Sequence, residues 1–313
     1  MQPIVLATLS SAYFGNMIAS HLSGRPLDVY RSSFPGGEEY LRIDLHGRGE
    51  LMGRDVIVVG ATHTDQAFEE LARIGSAAAG YGARRVIYVI PFFGYSTMER
   101  AVKPGEVVVA KLKAKALSAL PSGDMRNTFL MMDLHTAGLV HYFEGDCLRF
   151  ELYAEEVIAQ AIADLAQEPL VLGSADLGRP RWVETFAEKF GAELALVRKA
   201  RSGSGTKALG VIGDVAGKHV VIYDDMVRSG GSLTEAAAAY REHGAASVSA
   251  VVSHLALTGP DAVQRIEQGP VAKLIGTNTH PMSQSPEVSA SRCIEVRNVS
   301  EIFAQAIRRI LSA

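Results

Sequence analysis

Cysteine is scarce in this chain: Cys147 and Cys293 are the two in 313 residues, far apart and outside any CxxC pair. That excludes a disulfide-built scaffold and a cysteine-rich metal centre, and it fits free thiols in a reducing compartment. An excess of one charge is also missing, since 31 Lys and Arg stand against 34 Asp and Glu for a formal net charge of −3. A near-neutral chain makes no global case for nucleic acid or an anionic membrane as partner. No apolar run approaches the roughly 18 residues that a membrane span needs. The opening Met-Gln-Pro-Ile-Val-Leu-Ala has no basic leader before its apolar stretch, so no signal peptide is expected and the expected location is cytoplasmic. No low-complexity linker is visible. What the chain does have is 48% hydrophobic and 21% charged residues, enough apolar material to rule out disorder. At roughly 150 residues per domain, the length suggests two domains.

The apolar segments are short, β-branched and nearly continuous: Val56–Gly60, Val86–Phe92, Thr128–Leu134, Leu170–Leu172, His219–Tyr223 and Val248–Leu255. Strands buried on both faces read this way, as in parallel sheets. Between them, residues 66–81 place Phe68, Leu71, Ala72 and Gly75 on one helical face, and residues 233–243 are rich in alanine, the best helix former. Both stretches stop at a glycine, Gly82 or Gly244. Strand–helix–strand units of this kind predict an α/β fold with mainly parallel sheets. There is also an internal echo. Gly53-Arg-Asp-Val-Ile-Val-Val matches Gly217-Lys-His-Val-Val-Ile-Tyr, and Gly82-Ala-Arg-Arg-Val matches Gly244-Ala-Ala-Ser-Val, at offsets of 164 and 162 residues. An offset of half the chain indicates two similar α/β domains and not a short-period solenoid. The expected division is 1–148 and 149–298, with an amphipathic helix over 299–313 packing back on the first half.

The chemistry concentrates in residues 220–232. An apolar strand runs into Asp224 and Asp225, then Met226-Val-Arg228, then the small-residue stretch Ser229-Gly230-Gly231-Ser232, then a helix. Ligands bind beyond the carboxyl ends of parallel strands. A loop of small residues at a helix N-terminus offers backbone N–H groups to a phosphate, and Ser229 and Ser232 add hydroxyl donors. Two adjacent carboxylates can hold two vicinal hydroxyls, so the stretch suits a ribose 5-phosphate moiety. The plainer alternative is an acidic turn whose serine caps the helix.

This stretch resembles the phosphoribosyl-diphosphate loop of type I phosphoribosyltransferases. With Phe34-Pro-Gly-Gly-Glu38, Ile90-Pro-Phe-Phe-Gly-Tyr95, Met132-Asp-Leu-His135, Ser174-Ala-Asp176, Lys199-Ala-Arg201 and Ile212-Gly-Asp214, the chain resembles the ribose-phosphate diphosphokinase family from Phe34 to about Ile310. The resemblance implies two phosphoribosyltransferase-like domains about a pseudo-twofold, with a site between them. It implies transfer of the diphosphoryl group of ATP to the 1-hydroxyl of ribose 5-phosphate with Mg²⁺, and a homo-oligomer. It implies that Asp224 and Asp225 bind the ribose hydroxyls and Ser229, Gly230, Gly231 and Ser232 the phosphate. Lys199 and Arg201 would stabilise charge in the transition state; they flank Gly203-Ser204-Gly205, expected to be a mobile loop that closes over the substrates. His135 and Asp176 match metal- and phosphate-contacting positions. Phe34, Glu38, Glu99, Arg100 and His135 are the candidate nucleotide contacts, with Phe34–Glu38 expected from a neighbouring subunit. His63, at the first-half counterpart of the ribose loop, is a further candidate near the nucleotide phosphates.

The sequence departs from that family mostly on the nucleotide side. Thr97 and Met98 stand where the family has Arg-Gln, Gly36 replaces an acid, Ala200 the middle arginine of Lys-Arg-Arg, and Arg228 an acid of the ribose loop. An added cation at Arg228 suits an acceptor with an extra anionic group, such as ADP-ribose. A regulatory relative without activity is a second alternative. A simple phosphoribosyltransferase is a third, disfavoured because base transfer needs no second domain of the same kind.

Overall fold

The strands that read as continuous apolar runs lie inside parallel sheets. The computed structural model describes residues 2–175, 180–202 and 205–312, with backbone alone for 180–181, 199–202 and 205–209. The chain divides into two units, residues 1–153 with 299–313, and residues 154–298.

The first unit contains β1 (Ile4–Ala7), α1 (Ala12–Leu22), β2 (Arg25–Pro26), β3 (Val29–Ser33), β4 (Glu39–Ile43), β5 (Asp55–Val59), α2 (Asp65–Gly80), β6 (Arg85–Ile90), α3 (Val109–Ser118), β7 (Asn127–Met132) and β8 (Cys147–Leu152). Six strands form a parallel sheet in the order β2-β1-β5-β6-β7-β8, while β3 and β4 make a separate antiparallel hairpin. All six residues of β6 and all six of β7 are buried, as strands covered on both faces must be. Thr64 caps α2 by accepting from the Ala67 N–H at 3.1 Å. The helix buries Phe68, Leu71, Ile74, Gly75 and Ala78, a stripe at helical spacing.

The second unit contains α4 (Glu155–Leu165), β9 (Leu170–Ser174), α5 (Pro180–Phe190), β10 (Glu193–Ser202), β11 (Gly205–Ile212), β12 (His219–Val227), α6 (Gly231–Glu242), β13 (Ser247–Leu255), α7 (Pro260–Gln268), β14 (Leu274–Thr277), α8 (Pro286–Ala290) and β15 (Ile294–Arg297). Its sheet order is β11-β10-β9-β12-β13-β14-β15, parallel except for the antiparallel β10–β11 pair. The last helix, α9 (Ser300–Ser312), belongs to the first unit. There Phe303 meets Phe14 of α1 edge-on at 5.5 Å, His21 Nε2 and Ser300 Oγ are 2.9 Å apart, and Arg85 donates to the Ile310 carbonyl.

The sequence echo is a structural echo down to single hydrogen bonds. Gly53 N–H donates to the Gly82 carbonyl at 2.8 Å, and Gly217 N–H to the Gly244 carbonyl at 2.8 Å. Arg84 N–H reaches the Arg54 carbonyl, and Ala246 N–H the Lys218 carbonyl, again both at 2.8 Å. Gly82 and Gly244 take φ of 85° and 90°, the left-handed conformation that ends a helix and that glycine adopts without strain. Strand order changes direction between β1 and β5 in the first unit and between β9 and β12 in the second. Those are the topological switch points where open α/β sheets bind ligands.

Candidate active site

In the second unit, β12 runs on through Val227, four residues beyond the expected strand end, because β13 keeps pairing with it as far as Val227↔Leu255. Asp224 and Asp225 are therefore strand residues, and consecutive side chains on a strand leave to opposite faces. Burial follows: Asp224 is half-buried, whereas Asp225 is 3% exposed. The structure does not open both carboxylates to one surface; Asp224 is the one that meets solvent. One of its oxygens accepts from the Asp225 N–H at 2.9 Å.

The chain then turns through Arg228 and Ser229, both exposed, to Gly230. Gly230 caps α6 in the left-handed conformation, φ 76°, and as a glycine it has no side chain with which to cap the helix. A Cβ there would also stand 3.0 Å from Ile266 Cγ1 of α7, so both conformation and space call for glycine. The capping position is thus held by glycine and not by Ser229 or Ser232, although Ser229 Oγ does accept a hydrogen bond from the Gly231 N–H at 3.4 Å, as the plainer reading of the sequence allowed. Ser232 lies exposed in the first helical turn. The result is an open loop of small residues whose helix end carries partial positive charge.

Lys199 and Arg201 lie on β10, paired with Ala208 and Thr206 of β11, with a bulge between Arg198 and Lys199. They belong to an antiparallel ribbon where a loop was expected, because a two-stranded ladder satisfies their backbone groups. The centre of the expected mobile loop, Gly203 and Ser204, lies outside the described residues, as does Asp176. Register brings Lys199 and Asp224 to the same end of the sheet: Ser174 ends β9 between Leu196 and Tyr223, and both residues follow beyond those partners on their strands.

In the first unit, His135 follows β7, half-buried. Glu151 of β8 fixes that turn by accepting the Leu134 N–H at 3.0 Å, while Asp133 N–H donates to the Leu152 carbonyl. Tyr153 bonds the same Glu151, and burial together with the charges of Glu151 and Asp133 pushes its phenol up to about 12. Sequence reasoning missed Glu151 and Tyr153; the signal available was an acid and a tyrosine two residues apart where the short segment Cys147-Leu-Arg-Phe-Glu-Leu152 ends. Glu99 and Arg100 follow β6. The Glu99 side chain is 14% exposed and that of Arg100 79%, with 3.4 Å between them, and Tyr142 Oη donates to the Glu99 carbonyl at 2.6 Å. Phe34 and Glu38 close the β3–β4 hairpin, where Phe34 N–H donates to the Glu38 carbonyl at 2.9 Å. Phe34 is 55% exposed and packs on Tyr40 at 5.9 Å. His63 Nδ1 donates to the Ala61 carbonyl at 3.2 Å, and burial holds its pKa below the ordinary imidazole value.

Among the described residues, no three or more His, Cys, Asp or Glu side chains gather as a metal cage. Of the two residues that the resemblance implies for Mg²⁺, His135 is half-buried, and Asp176, the carboxylate of the kind that such a hard cation takes, lies outside the described residues. No helix among the described residues is long and apolar enough to cross a membrane.

Comparison with known proteins bears directly on this geometry. Residues 4–120 match the model of the N-terminal domain of ribose phosphate pyrophosphokinase, and residues 197–313 that of the phosphoribosyl synthetase-associated domain. The ribose-phosphate pyrophosphokinase of Hyphomonas neptunium is 34% identical over 94% of this chain and 91% of its own. The chain belongs to the ribose-phosphate pyrophosphokinase family. The enzyme of that name from Chlorobaculum tepidum is 31% identical over 98% of this chain and 91% of its own. The solved phosphoribosylpyrophosphate synthetase of Mycobacterium smegmatis superposes with a TM-score of 0.86 at 26% identity, covering 99% of both chains. The fold is thus α/β with two phosphoribosyltransferase-like domains, as the sequence led one to expect.

Proposed function

We propose that this member of the pyrophosphokinase family is a ribose-phosphate diphosphokinase that converts ATP and ribose 5-phosphate to phosphoribosyl diphosphate and AMP. The observation that carries the reading is the open Ser229–Ser232 loop at the head of α6, beside a half-exposed acid at the switch point of a parallel sheet. Near full-length similarity to proteins of that name supports it.

The loop holds the 5-phosphate through the helix end and the Ser229 and Ser232 hydroxyls. Asp224 accepts from the ribose hydroxyls; Asp225, which the resemblance also gives to them, stands next to it and is 3% exposed. The 1-hydroxyl oxygen attacks the β-phosphorus of ATP in line. The new bond joins O1 to that phosphorus, the bond to the α-phosphate oxygen breaks, and AMP leaves with that oxygen while the hydroxyl proton passes to solvent. Positioning and charge do the work in such a transfer. Lys199 and Arg201 neutralise charge on the transferred group and on the departing AMP. Phe34, Glu38, Glu99, Arg100 and His135 seat the nucleotide. Asp176, with His135, would hold Mg²⁺, which when bound to the ATP phosphates screens their charge. The chain works as a cytoplasmic homo-oligomer.

The test is to resolve the products of purified protein with Mg²⁺, ATP and ribose 5-phosphate. AMP and phosphoribosyl diphosphate in equal amounts are expected; ADP in place of AMP, or no product, contradicts the reading. The exposed Arg228 favours one variation, an acceptor with an additional anionic group. Ready turnover with ribose 5-phosphate and negligible turnover with ADP-ribose removes it.

A further inference from the structure

The phosphate loop does not stand alone: α7 backs it. Thr258 N–H, just ahead of α7, donates to the Arg228 carbonyl at 3.2 Å, and Arg265 Nη1 of α7 donates to the Ser229 carbonyl at 2.9 Å. Gly230 lies against Ala262 and Ile266 of the same helix. Two successive peptide carbonyls thus face α7. Peptides are planar and trans, so the N–H groups of Ser229 and Gly230 face the opposite way. The Arg265 guanidinium is exposed and makes no ion pair with any described carboxylate; its Nη1 sits 3.9 Å from where a Cβ on Gly231 would be. An arginine has five N–H donors in a rigid fork, and here one of them is engaged.

We infer that Arg265 is a positioning residue for the acceptor: by holding the Ser229 carbonyl it sets the Ser229–Gly230 peptide so that its N–H faces the bound phosphate, and from the far side of that peptide its unneutralised charge polarises the N–H toward the anion. The inference rests on the reading of residues 229–232 as the ribose 5-phosphate loop. Arg228 on the loop itself is a separate cation, and its carbonyl is held by Thr258 whatever stands at 265.

The test is calorimetric titration of ribose 5-phosphate onto the full chain, alongside steady-state kinetics, for Arg265→Ala, Arg265→Gln and Arg265→Lys. A charge-assisted contact of this kind is worth about tenfold in affinity. Arg265→Ala should therefore raise both Kd and KM for ribose 5-phosphate about tenfold, with KM for ATP and the melting temperature unchanged. Arg265→Lys should restore part of the loss and Arg265→Gln less, because glutamine keeps a donor for the Ser229 carbonyl but no charge. Unbound ribose without phosphate should show no difference among the variants. Unchanged affinity in Arg265→Ala, or an equal loss for ATP and ribose 5-phosphate, overturns the inference. Wild type that binds ribose 5-phosphate but forms no phosphoribosyl diphosphate would sink the proposed reaction while leaving the role of Arg265 measurable; wild type that does not bind it overturns both.

Discussion

The two units share a framework and differ in the loop that follows the central strand. In each, the glycine before the strand bonds the glycine after the helix at the same 2.8 Å. After β5, however, Gly60, Ala61 and Thr62 are buried. Ala61 N–H is taken by Ser11 Oγ at 2.9 Å, Thr62 Oγ1 accepts from the Gly94 N–H at 2.9 Å, and Thr64 caps α2 with its own side chain. After β12, Arg228, Ser229 and Ser232 are exposed and α6 has no side-chain cap. The first loop uses its donors internally; in the second the Gly231 N–H reaches only the neighbouring Ser229 hydroxyl at 3.4 Å, and the proposed function gives the loop's donors to a ligand. A repeated scaffold carries two switch points, and on the proposed function the chemistry of a few loop atoms decides which one binds.

The largest effect that would sharpen this contrast lies outside the loop itself. Lys199→Ala should lower kcat by about a hundredfold or more, the usual cost of removing a charge-stabilising donor, with little change in Kd for ribose 5-phosphate. Near-normal turnover would remove it from the reaction. Asp224→Asn should weaken ribose 5-phosphate about tenfold through loss of charged hydrogen bonds and leave stability intact. Asp225→Ala should instead cost about 2 kcal/mol of stability, because it strips a carboxylate from a buried position; chemical denaturation separates the two. Equal effects on binding from both would show that the strand presents both acids after all. Gly60→Ala should cost about 1–3 kcal/mol by overpacking, since its Cβ would lie 2.7 Å from Thr8 Cγ2. Affinity for ribose 5-phosphate should stay unchanged in it, whereas Gly230→Ala should lose that affinity.

The smallest effect concerns pH. Burial lowers the His63 pKa, so the folded chain favours neutral imidazole and the unfolded chain binds more protons below about pH 6.5. Stability from this group is present above that pH and is lost as pH falls through the folded value. His63→Gln should flatten the acid side of the stability profile; an unaltered slope would show that His63 is not what titrates.

Much of this was legible in the residues. β5, β6, β12 and β13 read as buried parallel strands because they lack polar alternation, and α2 and α6 were bounded by their glycines. The echo was legible because two backbone turns demand glycine at matching places. The extension of β12 past Tyr223 was not, since Asp-Asp reads as a strand terminator until β13 is seen to pair alongside it. The β10–β11 ribbon was hidden by Gly203-Ser204-Gly205, whose composition describes a turn and a loop equally well. Glu151 and Arg265 act through partners 17 and 36 residues away, contacts that no local pattern reports; Tyr153 lies two residues from Glu151, but nothing near it shows what Glu151 holds.

The central claim is that one of two similar switch points binds the sugar phosphate. Calorimetric titration of ribose 5-phosphate tests it most directly, by counting sites per chain in wild type, Asp224→Asn and Gly60→Ala. The account predicts one site per chain, weakened in Asp224→Asn and untouched in Gly60→Ala. Two sites per chain, or a single site lost in Gly60→Ala and kept in Asp224→Asn, would contradict it.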